Sequence, residues 1–452
     1  MIEVHCEGQH SLTLREQKRH TGNYISQLRL SFGRNELESA VARDLLRVGE
    51  AAFLADRAFR RGKSLGQQTR SLRVSLPVEE PERWTDVKDR VVQLAEFVSQ
   101  DHWEFEFTPL KRSKARRRRQ PRPFLQNAAI SLFSNGLDSL CGAAAAFDRG
   151  ETPVFVSHSP PGVKYVRLKV KALQDELGCA EVGPQFINLY FRAIARDARG
   201  RRNMFPERTR RTRPMLFLSL AGAAAVELGV PKIYLNENGV LAINLPFQAN
   251  QHGYNVTRHA HPETLRRFES LLRALWPFDA EPTVSNPFSD LTKGEEIKYL
   301  RQAAHLAEET VTCPYAGQQV STLIGWLKRQ HCAHVEVKEC GLCYSCLIRR
   351  SAMETAEVRE SEGHYAFDAR RVFRDPEAYS NAPLYRVVKQ NPKALYNFCQ
   401  SILKMEPGEF VFSYLYDLTL LPRSPEDVGQ SALAAYRLYR RFARQFIKYL
   451  EA

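Results

Sequence analysis

A polar turn, "SNGLDS", follows an apolar run that ends at Phe133 and precedes a second apolar run with helical spacing. The hydroxyls of Ser134 and Ser139 can donate to phosphate oxygens, and Gly136 lets the backbone approach an anion closely. Free N–H groups and the positive end of a helix dipole favour an anion at such a junction. Asp138 would repel a phosphate, so it is expected to bind Mg²⁺ or to support the turn. A capped helix start is the simpler alternative, because Ser, Asn and Asp are good N-cap residues.

A second candidate site lies in the cysteine-rich stretch "ECGLCYSC". Cys340, Cys343 and Cys346 have the C-x₂-C-x₂-C spacing of metal ligands. A fourth thiolate would complete a closed tetrahedral Zn²⁺ site, and Cys313 and Cys332 are both candidates for it. An iron–sulfur cluster is the alternative. With no secretory leader evident, a cytoplasmic protein with metal-bound rather than disulfide-bonded thiols is expected.

Four further polar side chains are candidates for binding a substrate. Either Arg211 or Arg213, just before an apolar helical run, can hold a phosphate or a carboxylate. Glu237 and Asn238 follow a strand-like run, where they can read the edge of a purine-like ring. The alternative for this pair is a plain turn, since "ENG" is a strong turn signal.

The elements that must position these residues alternate between strand-like and helical runs from residue 124 to about 310. Strand-like "NAAISLFS", "PVFVSHS", "PQFINLYF" and "KIYLNENGV" are interleaved with helical "LDSLCGAAAAFDRG", "GVKYVRLKVKALQDELG" and "MLFLSLAGAAAVELG". This alternation predicts an α/β fold whose parallel sheet is covered on both faces. Ligands of such sheets bind at the carboxyl ends of the strands, where the polar turn lies.

Two flanking regions differ from this central one. Residues 1–123 are predicted to form an α+β module that ends in the basic run "KRSKARRRRQPRP". We expect that run to be a solvated linker, with contact to a phosphate backbone as the alternative. Residues 353–452 are predicted to be helical, ending in an amphipathic helix that packs by its aromatic stripe. The predicted domains are therefore 1–123, 124–352 and 353–452.

The composition is that of an ordinary soluble protein, with 43% hydrophobic and 26% charged residues in a chain of 452. The most apolar long stretch, 214–230, is too short for a membrane span and carries Glu227. A formal net charge of +14 favours anionic partners but does not choose among nucleotides, nucleic acid and acidic proteins.

Together, the two motifs resemble those of the PP-loop ATP pyrophosphatases, and among these the family of QueC, 7-cyano-7-deazaguanine synthase. "SNGLDS" is similar to the SGGxDS loop of the family, with Asn135 in the place of the second glycine. If that position requires a positive φ, Asn is the least costly replacement. "LTKGEEIKYL", "TVTC" and "CGLCYSCLIRR" are similar to three later family segments, in the same order. The resemblance covers roughly residues 128 to 352.

The resemblance implies a Rossmann-like sheet of the HUP type, followed by a C-terminal zinc-binding element. ATP, Mg²⁺ and Zn²⁺ are the implied cofactors. The implied catalytic residues are Asp138, Ser139 and Arg213. The implied ATP-binding residues are Ser134, Asn135, Gly136, Leu137, Asp138 and Ser139. The implied zinc ligands are Cys313, Cys340, Cys343 and Cys346. The implied substrate-binding residues are Glu237, Asn238, Arg258 and His261, with His259 lying between the last two.

QueC enzymes adenylate 7-carboxy-7-deazaguanine with ATP, form an amide with ammonia and dehydrate it to a nitrile. "NENGVLAINLPF", "NVTRHAHP" and the two flanking regions are most similar to QueC-like proteins of bacterial anti-phage systems, notably QatC of the Qat system. This resemblance implies a ligase that transfers a deazaguanine acid to an amine of a partner protein from the same defence operon (QatB-like), or to ammonia. A membrane partner is not expected, and nucleic acid is not favoured.

Two other functions remain open from the sequence. A tRNA-modifying PP-loop enzyme would fit the positive charge and the basic run, although no tRNA-binding module is recognisable. A non-catalytic binding subunit would fit the replacement of a loop glycine by Asn135.

Overall fold

The computed structural model describes most of the chain. The described residues are 1–9, 11–16, 23–30, 36–62, 69–110, 127–158, 163–194, 204–248, 258–316, 321–325, 337–361, 363–422 and 425–452. The basic run 111–123 and Cys332 lie outside them. Within the described part of the chain, no helix is long and apolar enough to cross a membrane.

The strands form two sheets. In chain order they are β1 Ile2–Cys6, β2 Leu12–Leu14, β3 Tyr24–Leu30, β4 Ser71–Val78, β5 His102–Pro109, β6 Ala128–Leu132, β7 Thr152–Ser157, β8 Gln185–Ala193, β9 Lys232–Tyr234 and β10 Thr283–Ser285. The four-stranded sheet has the order β2-β1-β4-β5, and the six-stranded sheet has the order β10-β9-β6-β7-β8-β3. From β10 to β8 every neighbouring pair is parallel. The predicted parallel sheet is therefore confirmed.

Helices cover the sheets and make up the end of the chain. They are α1 Ala40–Ala58, α2 Pro81–Asp86, α3 Lys88–Ser99, α4 Leu137–Asp148, α5 Val163–Leu177, α6 Arg213–Leu228, α7 Gly239–Ile243, α8 Pro262–Leu275, α9 Lys293–Glu296, α10 Tyr344–Thr355, α11 Ala369–Arg374, α12 Tyr385–Val388, α13 Asn391–Lys404, α14 Pro407–Ser413, α15 Leu415–Leu418 and α16 Val428–Glu451. Two 3₁₀ segments, Ile297–Glu309 and Pro425–Asp427, and a short helical stretch at 321–325 are also present.

The N-terminal region is joined to the central sheet rather than separate from it. Strand β3 pairs antiparallel with β8, so the N-terminal region supplies the edge of the central sheet. Helix α1 lies against α6, and a Cβ added at Gly49 would stand 2.5 Å from the Ser219 Cβ. A glycine is therefore required for this close helix contact. One continuous apolar core contains both Val4 of β1 and Ile130 of β6.

The opposite face of the sheet and the C-terminal region have cores of their own. Helices α4 and α5 and the first 3₁₀ segment share one apolar cluster, built around Phe155 and Leu300. The helices after residue 369 share another with the cysteine cluster, and its members include Phe247, Tyr439 and Phe442. The cavity described below lies beside this second cluster, because Phe247 belongs to both.

Candidate functional site

The polar turn connects β6 to α4 and is braced by its own hydroxyls. The Ser134 N–H donates to the Ser139 Oγ at 2.9 Å, and the two hydroxyl oxygens lie 2.9 Å apart. The Gly136 N–H donates to the Ser134 Oγ at 3.1 Å. No side chain caps the start of α4, so its first N–H groups can bind an anion. Leu137 is fully buried, which leaves its backbone as the part that can meet a nucleotide.

Asn135 does not have the left-handed conformation that its replacement of a glycine suggested. Among the described residues with positive φ, neither Asn135 nor Gly136 occurs, and Gly136 has φ −86°. The condition of a positive φ at this position is therefore not met. Instead, the Asn135 carbonyl accepts a hydrogen bond from the Val311 N–H at 2.9 Å. This bond ties the turn to the segment that carries Cys313.

Asp138 is held by a buried lysine that the sequence did not single out. Its carboxylate forms an ion pair with the Lys293 ammonium and accepts from Asn238, at 3.2 Å from the backbone N–H and 3.1 Å from the Nδ2. Burial raises the pKa of Asp138, but the charge of Lys293 and the hydrogen bonds from Glu296, Lys293 and Asn238 together outweigh burial and leave the pKa below its usual range. Asp138 therefore supports the turn as an ionised group. Lys293 begins α9 behind a Thr292–Glu295 capping box, a pattern visible in the sequence.

Two more carboxyl groups surround this ion pair. Glu296 is fully buried, with its Oε1 3.5 Å from the Lys293 Nζ. Burial, assisted by Asp138, raises its pKa well above the ordinary range. Glu237 accepts from the Asn238 Nδ2 at 2.9 Å and lies 3.2 Å from the His259 Nε2. Burial and then Asp138 also raise the pKa of Glu237. A carboxyl group with a raised pKa at a cavity wall is a candidate for proton transfer.

The structure distinguishes between the two candidate arginines. Arg213 begins α6 and lines the cavity, with its guanidinium 5.0 Å from the centre of the Phe217 ring. Burial lowers its pKa. Arg211 points into the N-terminal region instead, where its Nη1 donates to the Ser99 carbonyl at 3.2 Å. Of the two, Arg213 is placed to meet an anionic ligand.

Two of the predicted substrate-binding residues lie elsewhere. Arg258 stacks over the Phe97 ring at 4.5 Å and donates to the Phe97 carbonyl at 3.1 Å. His261 is buried and accepts from the Glu263 N–H as the N-cap of α8. Burial lowers its pKa to about 3. Neither residue is part of the cavity wall, so their positions do not support a role in substrate binding; His259, between them, does line the cavity.

The four predicted zinc ligands come together. The Sγ atoms of Cys313, Cys340, Cys343 and Cys346 all lie within 4.8 Å of one another. Three of their separations are 3.3, 3.8 and 3.9 Å. A tetrahedral Zn²⁺ with bonds of about 2.3 Å needs sulfurs about 3.8 Å apart, so the donors fit that ion. Cys313 is the fourth member of this cluster, whereas Cys332, outside the described residues, is not tested.

A buried carboxylate and a buried arginine fix the first cysteine. The Glu339 Oε1 accepts from the N–H groups of Thr312 and Cys313. Arg349, fully buried, donates to the Thr310 Oγ1 at 2.7 Å and the Thr312 Oγ1 at 3.1 Å. Such second contacts orient metal ligands. Neither residue was predicted from the sequence, although Glu339 directly precedes the cysteine motif and Arg349 lies three residues after its last cysteine.

The turn and the cysteine cluster face one cavity of about 620 Å³. Its size is within the range of about 300–1,000 Å³ that is typical of small-molecule sites. The apolar part of its wall can hold a flat ring, and the polar part carries the charged groups described above. The lining residues are Ser134, Gly136, Asp138, Arg213, Glu237, Leu241, Asn244, Leu245, Pro246, Phe247, His259, Lys293, Val311, Thr312, Cys313, Pro314, Tyr344 and Ser345.

Comparison with known protein families gives one match. The family model described as "Queuosine biosynthesis protein QueC" matches residues 192–357. The match supports a QueC-like protein. No curated protein and no solved structure shows a significant match to the chain.

The matched range contains much of the QueC-like site. Arg213, Glu237, Lys293 and the four clustered cysteines lie within it, whereas the polar turn precedes it. The QueC family implies a PP-loop, ATP-dependent enzyme that acts on a 7-deazaguanine-type substrate. The turn contacts this range through the hydrogen bond from the Val311 N–H to the Asn135 carbonyl.

Proposed function

We propose that the chain is an ATP-dependent ligase that adenylates a 7-deazaguanine carboxylic acid, such as 7-carboxy-7-deazaguanine, and passes the acyl group to an amine. The observation that carries this proposal is the single cavity shared by the polar turn and the cysteine cluster. A carboxylate is a poor electrophile, and its adenylate has AMP as a good leaving group. The uncapped start of α4 and Arg213 supply positive potential for the phosphates.

The proposed roles of the site residues follow their contacts. Ser134, Gly136 and the backbone at Leu137 bind the nucleotide, while Ser139 holds the turn in shape. Asp138 supports the turn through Lys293. Glu237 lies at the substrate end of the cavity, where Phe247 can stack on a flat ring. Asn238 positions other residues and does not contact the ligand itself, because it is fully buried and its Nδ2 donates to both Asp138 and Glu237.

The proposed cofactors are ATP, Mg²⁺ and Zn²⁺. Mg²⁺ accompanies the nucleotide and neutralises its phosphates. A Zn²⁺ ion held by four thiolates has no open position, so its role is structural: it would fix the cavity wall at Cys313 and Pro314. About one Zn²⁺ per chain is expected by elemental analysis. Its removal should lower the melting temperature and the affinity for ATP together, whereas a chain without bound zinc would contradict this assignment.

An AMP-release assay tests the ligase proposal. Purified protein is incubated with ATP, Mg²⁺, ammonium and 7-carboxy-7-deazaguanine, with benzoate as the control acid. AMP release that depends on the deazaguanine acid is expected, together with an amide or a nitrile of that acid in the mass spectrum. ATP binding without AMP release would indicate a non-catalytic subunit. Salt-sensitive tRNA binding with tRNA-dependent AMP release would indicate a tRNA-modifying enzyme instead.

We further propose that the acceptor is an amine of a partner protein in an anti-phage defence system, of the kind in which QatC acts with a QatB-like protein. Exposed apolar side chains on α14 and α15 support a protein partner: Phe412, Leu415 and Tyr416 are 84%, 50% and 64% exposed. Mass spectrometry of a candidate partner, after incubation with ATP and the deazaguanine acid, tests this. An unmodified partner beside a working ammonia reaction would contradict the partner proposal and leave the ligase proposal intact.

A further inference from the structure

The proposed reaction creates a proton that the cavity must remove. When the nitrogen of an amine attacks the adenylated carboxyl carbon, a C–N bond forms and the C–O bond to AMP breaks. AMP leaves with the electrons of that bond, and the attacking nitrogen must lose one proton to become an amide. A side chain within reach of that nitrogen, positioned to accept the proton, can speed this step by about 10²–10⁴-fold.

We propose that Glu237, backed by His259, accepts this proton. The inference rests on the proposed function and adds to it a catalytic residue. Asp138 is less suited to this role, because it is already paired with Lys293 and hydrogen-bonded to Asn238. The Glu237 carboxylate faces the same cavity, and its Oε2 lies 3.2 Å from the His259 Nε2.

Hydrogen bonds to both its backbone and its carboxylate fix the position of Glu237 in the cavity wall. Its backbone N–H donates to the Asn286 Oδ1 at 3.3 Å, and its carbonyl accepts from the Asn286 Nδ2 at 2.6 Å. Its carboxylate accepts from the Asn238 Nδ2 at 2.9 Å, and that same Nδ2 lies 3.1 Å from Asp138. The chain of contacts places Glu237 next to the turn proposed to bind ATP.

His259 offers the proton a way out of the cavity. Its side chain is 44% exposed, whereas that of Glu237 is 15% exposed. Once exchange with water has moved the imidazole hydrogen from Nε2 to Nδ1, the free Nε2 can accept the proton taken up by Glu237 across the 3.2 Å contact, and the Nδ1 hydrogen then leaves to water.

The charges around Glu237 strengthen it as a base. Burial raises its pKa first and Asp138 adds to this, while the hydrogen bond from His259 and the charge of Lys293 oppose it. A carboxylate with a higher pKa binds a proton more tightly, which suits a group that must take one from an amine near neutral pH.

The test separates the two half-reactions in the full-length protein. Exchange of pyrophosphate into ATP, dependent on 7-carboxy-7-deazaguanine, measures adenylation. Amide formation with ammonium measures transfer. Glu237→Gln and His259→Gln are compared with the wild type, and Glu281→Gln and His102→Gln serve as matched controls because their side chains are 75% and 76% exposed. Melting temperatures check that every variant folds.

Glu237→Gln is expected to leave exchange within a few-fold of the wild type and to slow transfer by about 100-fold. His259→Gln should slow transfer by a smaller factor. Because His259 is the more exposed residue of the pair, this variant still tests the inference if Glu237→Gln folds poorly. Hydroxylamine, which is uncharged at neutral pH and a stronger nucleophile, should restore transfer by both variants.

Three results would overturn the inference. Equal losses of exchange and transfer in Glu237→Gln would mean that Glu237 binds the acid. Wild-type transfer rates in both variants would mean that another group takes the proton. If the wild type itself shows no exchange with the acid, the proposed function fails and the inference fails with it; in the first two cases the proposed function stands.

Discussion

The N-terminal region and the cavity each bury a set of charged side chains, and the two sets differ in charge balance. The N-terminal ionic cluster consists of Asp56, Asp101, Arg61 and Arg70, two carboxylates against two guanidinium groups. The cavity cluster consists of Asp138, Glu237, Glu296 and Lys293, three carboxyl groups around one ammonium group. Both clusters lie almost wholly out of water.

In the N-terminal ionic cluster the charges neutralise each other. Arg70 donates from Nη2 to Asp56 at 2.5 Å and to Asp101 at 2.6 Å, and from Nη1 to the Asp56 and Phe59 carbonyls. Arg61 contacts both carboxylates as well. Although burial raises the pKa of Asp56, Arg70 and Arg61 bring it below its ordinary value. Such a cluster holds structure together and is not adapted to exchange protons.

The cavity cluster has more acid than base. Asp138 is paired with Lys293, whereas burial and then the charge of Asp138 raise the pKa values of Glu237 and Glu296. Burial of charged groups alone therefore does not indicate a functional site. An imbalance of buried charge beside a cavity indicates one, because a group that is not fully neutralised can still exchange a proton or bind a ligand.

The two clusters are also connected. The Asp56 Oδ2 accepts from the Thr212 N–H and Oγ1, both at 3.1 Å. Thr212 directly precedes Arg213, the first residue of α6 and a part of the cavity wall. The N-terminal ionic cluster therefore positions one of the cationic groups of the site.

The largest effect is expected from removing one carboxylate of the N-terminal ionic cluster. Asp56→Ala leaves Arg70 and Arg61 short of one buried partner, and removal of one member of such a pair costs about 3–5 kcal/mol of folding free energy. Urea unfolding measures this loss. Because Thr212 is released, the affinity for ATP should fall too. A stability change below about 1 kcal/mol would contradict the structural role assigned to this cluster.

The next largest effect is expected from removing the cation of the cavity cluster. Lys293→Met keeps an unbranched side chain, one atom shorter, but leaves Asp138 without its cationic partner. Adenylation should slow by about 100-fold, which corresponds to about 2.7 kcal/mol of transition-state free energy. Pyrophosphate exchange measures this. The exposed Lys298→Met is the matched control, and equal rates in both variants would refute the role of Lys293.

A smaller, pH-dependent effect is expected at Glu296. Its pKa is raised above the ordinary 4.5, so the folded state holds its proton more tightly than the unfolded state does. Its contribution is fully present below pH 4.5 and is lost as pH rises toward the raised pKa. Glu296→Gln cannot titrate, so it should unfold less readily than the wild type as pH increases. Unfolding curves from pH 4 to pH 9 test this sign, and a constant difference would contradict it.

The smallest effect is expected at an exposed ion pair on β4 and β5, the two strands that directly follow Arg70 and Asp101 of the N-terminal ionic cluster. Arg73 and Glu104 lie 2.7 Å apart on β4 and β5, with side chains 61% and 57% exposed. Water screens such a pair, so Arg73→Ala should leave the unfolding midpoint almost unchanged. A loss of stability in Arg73→Ala as large as that in Asp56→Ala would show that burial does not determine how much an ion pair contributes to stability.

Local patterns made much of the site predictable. The polar turn and the cysteine spacing each lie within a few residues, so their chemistry can be read from neighbours in the chain. The alternation of strands and helices likewise predicted the parallel sheet, because each element carries its own apolar period. The assignment of Ser134, Gly136 and Asp138 to one turn required no knowledge of distant contacts.

Side-chain direction within irregular segments was not predictable. Arg258, His259 and His261 lie within four positions, yet only the middle one reaches the cavity, since Arg258 stacks on Phe97 and His261 caps α8. Strand β3 was also missed, because its membership of the central sheet depends on β8, more than 150 residues away. Register and direction of this kind are set by packing partners.

The sequence by itself therefore determined which chemical groups this protein has: a polar turn between a strand and a helix, three thiols with metal-ligand spacing, and strands that build a parallel sheet. The tertiary structure alone decided which of them meet. It joined Asp138 to Lys293 across 155 residues and Asn135 to Val311, and it turned Arg213 rather than Arg211 toward the cavity. The physical reason is that local spacing specifies chemistry and periodicity, whereas contacts between distant residues follow from how complete elements pack and neutralise their buried charges.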